Sequence, residues 1–195
     1  MKSTIDPQTR ERYYLGALES PGSWLIRGIQ LKSAAERLDW RMLPATKQER
    51  GFSHFYEYSM LLGMSFEALI KGHIAGARLL SSTEPTLLSK HFTHDLKELA
   101  QEPECSHLSL SAVDLKALDE LSPFVEWAGR YPLPKKPSKM EVGFGIGDDE
   151  YELQKVLWER IFASLKQDAW VVKGGPLKLG GFKKHIGRPG APNDA

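Results

Sequence analysis

The stretch Phe52–Leu80 reads FSHFYEYSMLLGMSFEALIKGHIAGARLL, and its spacing decides the fold class. Phe55, Tyr58, Leu62, Phe66, Leu69, His73 and Leu80 recur at intervals of three, four and seven, the repeat of one face of an α-helix. The segment is long and mostly apolar, so it is expected to run through the centre of a helical bundle. Small residues interrupt it at Gly63, Ser65, Gly72, Ala75, Gly76 and Ala77. Each mid-helix glycine costs roughly 0.5–1 kcal/mol relative to alanine, which implies that neighbouring backbones pass close by. Glu67 and Lys71 stand four apart in the favourable order and are expected to pair on the outer face.

The flanking segments carry the same period. Trp24, Gly28, Leu31, Ala35, Leu38 and Met42 mark an amphipathic helix after the Pro21-Gly22 break, with Ser23 as its expected cap. Beyond the Ser81–Pro85 turn, a shorter helix or two are expected over Leu87–Gln101, with Leu88, Phe92, Leu96 and Leu99 inward. Ser111 and Asp114 resemble a capping box, opening a helix with Val113, Ala117, Leu121 and Phe124 as its apolar stripe. Ser122-Pro123 is a place where that helix can restart. A final helix is expected from Asp148 to Asp168, with Leu153, Val156, Leu157, Ile161, Phe162 and Leu165 inward and an acidic start that suits the helix dipole.

Residues 130–147 have no helical period and carry Pro132, Pro134, Pro137, Gly143, Gly145 and Gly147, so a long ordered loop or a mobile lid is expected, with room for a short hairpin near 139–146. The resulting picture is an all-α, up-and-down bundle of about five helices with a long Pro/Gly loop before the last. Residues 1–172 are expected to form the helical domain, and 173–195 a flexible basic tail.

The composition agrees with a folded domain. The chain has 195 residues, 41% hydrophobic and 26% charged, and a formal net charge of +1. That is the profile of an ordinary globular protein, with no global field to draw it onto nucleic acid or an anionic membrane. The single cysteine, Cys105, excludes an internal disulfide and a Cys-rich zinc site. The polar start Met1–Arg12 lacks the apolar core of a signal peptide, and no apolar run is long enough to span a bilayer, so a cytoplasmic protein without membrane contact is expected.

The neutral total conceals segregation along the chain. Residues 94–126 hold eight acids against two lysines, six net negative charges. Residues 130–139 carry four bases and no acid, and 173–195 carry five bases against Asp194. An acidic face and two basic stretches are therefore expected.

Chemistry-bearing motifs are sparse. Gly143-Phe144-Gly145-Ile146-Gly147 is glycine-rich but has no preceding strand and no following Lys-Ser/Thr, and Asp148-Asp149-Glu150 would repel a phosphate. It reads as a plain loop. His91 and His94 have metal-ligand spacing, but no third strong ligand is identifiable, so no metal and no cofactor are expected. Asp95 is expected to serve a helix start and His94 to satisfy backbone groups, while His73 reads as a core histidine. Cys105 sits among acids, which raises a thiol pKa. Arg130-Tyr131-Pro132-Leu133-Pro134-Lys135-Lys136 joins cations, an aromatic ring and stiff prolines, a set suited to phosphate and base contacts.

The helix carrying Gly63-Met64-Ser65-Phe66-Glu67-Ala68-Leu69-Ile70-Lys71-Gly72, then His94-Asp95-Leu96 with Leu99, then Gly129-Arg130-Tyr131-Pro132, resembles the HEPN superfamily over about 50–165. The resemblance implies a four- or five-helix bundle that commonly dimerises and occurs with toxin–antitoxin, abortive-infection and nucleotidyltransferase systems. Ribonuclease members carry an arginine, four to six residues, then a histidine. Here Arg50 and His54 are separated by three residues, and neither Arg78 nor Arg130 has a histidine at the required distance.

The resemblance therefore implies a noncatalytic or divergent HEPN-like module that binds RNA or a nucleotide, or partners a nucleotidyltransferase or antitoxin, as a homodimer. Its candidate ligand contacts are Arg130, Tyr131, Lys135, Lys136, His94 and Asp95. Two alternatives stand beside it. One is a metal-independent ribonuclease with a rearranged site, Arg130 with His94 or Arg50 with His54, in which arginine stabilises phosphorane charge and histidine acts as base. The other is a dimerisation bundle without a ligand.

Overall fold

The computed structural model describes residues 20–39, 54–81, 87–128 and 148–171, with single positions between 6 and 16. Helices account for most of these residues, and no strand occurs among them. They are α1 (Pro21–Arg37), α2 (Phe55–Leu80), the short α3 (Leu96–Ala100), α4 (Ala112–Pro123) and α5 (Asp148–Val171), joined by 3-10 turns at Ser89–His91 and Pro103–Leu108. A π-turn at Phe124–Ala128 prolongs α4. The chain is thus an all-α bundle. Arg130, Tyr131, Lys135, Lys136, the short hairpin that 139–146 had room for, the glycine run at 143–147, Arg50 and the tail lie outside the described residues.

The topology is up and down. Pro21 lies by Gly76 and Gly28 by Ser65 and Leu69, so α1 is antiparallel to α2. Tyr151 lies by Tyr58, Trp158 bonds Ser65 and Leu165 lies by Gly72, so α5 runs parallel to α2. The α4 unit returns between them, with Asp114 against Arg160 of α5 and Phe124 against Phe55 at the start of α2. Helix α2 is the centre, as its period predicts, with Phe66, Leu69, Ile70 and Ile74 fully buried.

Close approach explains two of the glycines. A Cβ on Gly28 would stand 2.7 Å from Leu69 Cδ2, and one on Gly63 would stand 2.5 Å from Val125 Cγ2. At the first crossing Ser65 ties three helices together: its Oγ donates to the Gly28 carbonyl and accepts from Trp158 Nε1, both at 2.7 Å.

Several local expectations change. The cap of α1 is Ser20, which accepts from Ser23 N, and Pro21 sits inside the first turn, where its fixed φ suits the helix and its missing N–H costs nothing. The capping box of Ser111 and Asp114 is present. Pro123 is carried inside the last turn of α4 rather than restarting it. Phe92, Val113, Val156 and Leu80 are exposed although their spacing put them inward.

Candidate functional site

The Glu67–Lys71 pair forms as the spacing predicts, with Lys71 Nζ 2.6 Å from Glu67 Oε1, but it does not face outward. The Lys71 side chain is 4% exposed, because α1 and the 87–95 segment close over that side of α2. Lys71 Nζ stands 5.8 Å from the centre of the Trp24 ring and 5.7 Å from that of Phe92, so aromatic faces flank the buried ammonium.

His94 completes the group. Its Nδ1 lies 2.9 Å from Glu67 Oε2, the oxygen that Lys71 does not take. A carboxylate paired with an ammonium only accepts, so His94 donates through Nδ1–H. In the neutral imidazole Nε2 is then an acceptor, and it has no partner among the described residues. The His94 side chain is 45% exposed. This replaces the expected backbone contacts of His94. Two residues earlier in the chain, Phe92 is 53% exposed.

Asp95 has a different task. Its Oδ1 accepts from Glu98 N at 2.8 Å as the cap of α3, and its own N–H donates to Thr93 Oγ1. Leu96 N donates to Ser122 Oγ at 2.9 Å, fixing the start of α3 against α4. Asp95 therefore holds the segment that presents Phe92 and His94. Of the expected contact residues, His94 joins the cluster, Asp95 supports it, and the four basic-stretch residues lie outside the described residues.

The remaining titratable groups are structural in their contacts. His91 is fully buried, its Nδ1 accepts from Leu88 N at 3.0 Å, and burial lowers its pKa against the pull of Glu102. Its Nε2 has no hydrogen-bond partner, with Glu102 Oε2 3.7 Å away. His91 and His94 thus serve separate partners, and among the described residues no three metal-ligating side chains cluster. His73 is the core histidine expected: Nε2 donates to the Ile161 carbonyl at 3.0 Å, so in its neutral form Nδ1 accepts from His107 Nε2. Burial, with Glu104 and Glu102 adding to it, pushes the Cys105 thiol up to about 12, which removes it as a nucleophile. His54 is exposed at the start of α2 and caps nothing.

Five of the eight acids in the run are paired: Glu102 with Lys90, Glu104 with Arg78, Asp114 with Arg160, Asp119 with Lys97 and Glu120 with Lys116. Three of those bases come from outside 94–126, so packing offsets three of the six net negative charges that the sequence segregates.

Glu67, Lys71, Trp24 and Phe92 were not among the candidate residues. The available signal was the position of Glu67 and Lys71 inside Phe66-Glu67-Ala68-Leu69-Ile70-Lys71, where two charges interrupt the most apolar part of the chain. Among the described residues no helix is long and apolar enough to cross a membrane. No family model matches the chain, and no curated protein or solved structure is significantly similar to it.

Proposed function

We propose that this chain is a noncatalytic, HEPN-like helical module that binds RNA or a nucleotide, acting in the cytoplasm as a homodimer beside a nucleotidyltransferase or antitoxin partner. The observation that carries the binding reading is the exposed Phe92–His94 surface, supported from beneath by the Glu67–Lys71 pair. An exposed aromatic ring beside an oriented histidine is the kind of surface on which unpaired bases stack and sugar or phosphate groups are held. The sequence adds Arg130, Lys135 and Lys136 as sequence-independent phosphate contacts.

Fluorescence anisotropy with a labelled single-stranded oligoribonucleotide tests it. Binding by the full chain is expected to fall steeply with salt, and the combined Arg130→Ala/Lys135→Ala/Lys136→Ala variant to reduce the log–log salt slope by about 2. An unchanged slope removes the basic stretch from the interface. Sedimentation or light scattering gives the mass, and a monomer at micromolar concentration contradicts the homodimer.

One observation favours a second reading, a metal-independent ribonuclease with a rearranged site. His94 Nδ1 lies 2.9 Å from Glu67 Oε2, a carboxylate–imidazole contact that, in the neutral ring, leaves Nε2 as the acceptor a general base requires. RNA cleavage that disappears in His94→Ala, while His54→Ala retains it, establishes that reading. Intact RNA with the parent protein rejects it.

A further inference from the structure

Leu88 and His91 bond each other twice. The Leu88 carbonyl accepts from His91 N at 2.9 Å, and Leu88 N donates to His91 Nδ1 at 3.0 Å. A backbone N–H only donates, so Nδ1 offers a lone pair and the ring is neutral, with its one proton on Nε2. That nitrogen is buried and has no hydrogen-bond partner. Glu102 Oε2 lies 3.7 Å from it and is also bound by Lys90 Nζ. A second proton has only Nδ1 to go to, and there it displaces the Leu88 N–H. The closed turn therefore has no place for an imidazolium, whereas an open, hydrated turn has. The charges around the ring are Glu102 and Glu104 at the start of the Pro103–Leu108 turn, Lys90 in its own turn and Arg78 from α2. Burial, with Lys90 and Arg78, outweighs the pull of the two glutamates, so the closed state holds a second proton less well than an open one does.

We propose that His91 is a pH-sensitive catch: in mild acid, protonation at Nδ1 breaks the Leu88–His91 ring of bonds and the 88–92 stretch opens from α2 while the helices of the bundle stay packed. Phe92 follows His91 directly and stands 5.7 Å from the Lys71 ammonium, so opening withdraws one of the two rings that flank this buried charge. His94 is not the trigger, because a protonated imidazole still donates through Nδ1–H to Glu67. The sign follows from the histidine: its closed-state pKa lies below the ordinary 6.5, so the catch is fully set above pH 6.5 and is released as the pH falls below it. One proton is involved, which limits the response to about tenfold in the opening equilibrium per pH unit. The catch needs no ligand and does not depend on the RNA-binding reading.

Amide hydrogen exchange, followed by NMR on the full chain between pH 7.5 and pH 5 and corrected for intrinsic rates, tests the catch. The Leu88 amide, whose acceptor is His91 Nδ1, reports opening, and the amides of Leu69 and Ile70 report the core of α2. Leu88 protection is expected to be level above pH 6.5 and to fall severalfold by pH 5, and to stay far below that of Leu69 and Ile70 throughout. His91→Gln keeps an acceptor for Leu88 N and carries no charge, so its Leu88 protection is expected to be flat over the same range. His94→Gln is expected to retain the parental profile. A flat Leu88 profile in the parent overturns the catch, whether or not His91→Gln folds. Equal protection at Leu88 and Ile70 also overturns it, since the bundle then opens as a whole. A parental slope that persists in His91→Gln, or one lost in His94→Gln, assigns the proton elsewhere and overturns it too.

Discussion

Lys71 and His94 share one carboxylate: Lys71 Nζ takes Oε1 of Glu67 at 2.6 Å and His94 Nδ1 takes Oε2 at 2.9 Å. Lys71 is one turn along the same helix, whereas His94 is 27 residues further on and arrives from an irregular segment. The network therefore fastens the 87–95 segment to the central helix. Removing one member of a buried pair strands the other charge. Lys71→Met is expected to lower stability by about 3 kcal/mol, and Glu67→Leu/Lys71→Met to recover most of that loss, because apolar replacement of both partners leaves no buried charge unpaired and the half-exposed His94 is left within reach of water. Urea unfolding of the single and double variants measures the difference, and a double variant weaker than Lys71→Met contradicts the coupling.

His91 makes stability pH-dependent. Burial lowers its folded-state pKa below the ordinary 6.5, so the unfolded chain binds the proton more readily. Its contribution is complete above pH 6.5 and is lost as the pH falls below that value. Melting temperatures measured between pH 8 and pH 5 are expected to decline with acidity, and less steeply in His91→Gln, whose amide carries no charge. Parallel declines in the two proteins would remove His91 as the source.

Asp114 acts in the opposite group class and at lower pH. Burial pushes its pKa up, but hydrogen bonds from Ser111 and the Arg160 guanidinium outweigh burial and hold it below 3.8. Its stabilisation is present above pH 3.8 and lost as the pH drops below it. Asp114→Ala deletes the reciprocal cap of α4 and the Arg160 contact together, an expected cost of about 2 kcal/mol in chemical denaturation. Arg160 is about half exposed, so the cap is the larger share.

Two glycines of α2 have opposite expectations. Gly63→Ala drives a Cβ into Val125, a stiff β-branched neighbour, and is expected to cost about 2 kcal/mol, with partial recovery in Gly63→Ala/Val125→Ala. Among the described residues a Cβ on Gly76 meets only Pro21, at 3.6 Å, ordinary contact, and Gly76→Ala is expected to gain about 0.7 kcal/mol from helix propensity. Thermal melts that shift the same way for both would refute the packing argument.

Cys105 is buried and its thiol is raised to about 12, so little thiolate is available at neutral pH. A thiol-directed reagent is expected to label it far more slowly in the folded protein than in denaturant. Equal rates would contradict the buried position.

The helices were legible because their signals are local. Period three and four along Phe55–Leu80, the Ser111–Asp114 box and the acidic start of α5 are written within one or two turns of chain. The margins were less so. Ser23 was expected to cap α1 because Pro-Gly reads as a break, yet proline also suits a first helical turn, and Ser20 is positioned to use it. Phe92 has the spacing of a core residue, but the segment there is a 3-10 turn followed by a bend, so a 3.6-residue period no longer predicts its direction.

The site divides along the same line. Sequence marked His94 as a contact candidate and noticed Glu67 with Lys71, because residue type and an i,i+4 interval are properties of the chain itself. It did not place the three together or bury the lysine. The same division applies to charge: the acidic surplus of 94–126 is a fact of sequence, whereas its pairing with Arg78, Lys90 and Arg160 is a fact of packing. Sequence by itself determined an all-α chain and where its helices lie, since each helix satisfies its own backbone and exposes its apolar face within a few residues. Only the tertiary structure decided that Lys71 faces two aromatic rings and that His94 reaches the Glu67 carboxylate. Those outcomes depend on which helix closes over which face, and such contacts arise between residues far apart along the chain.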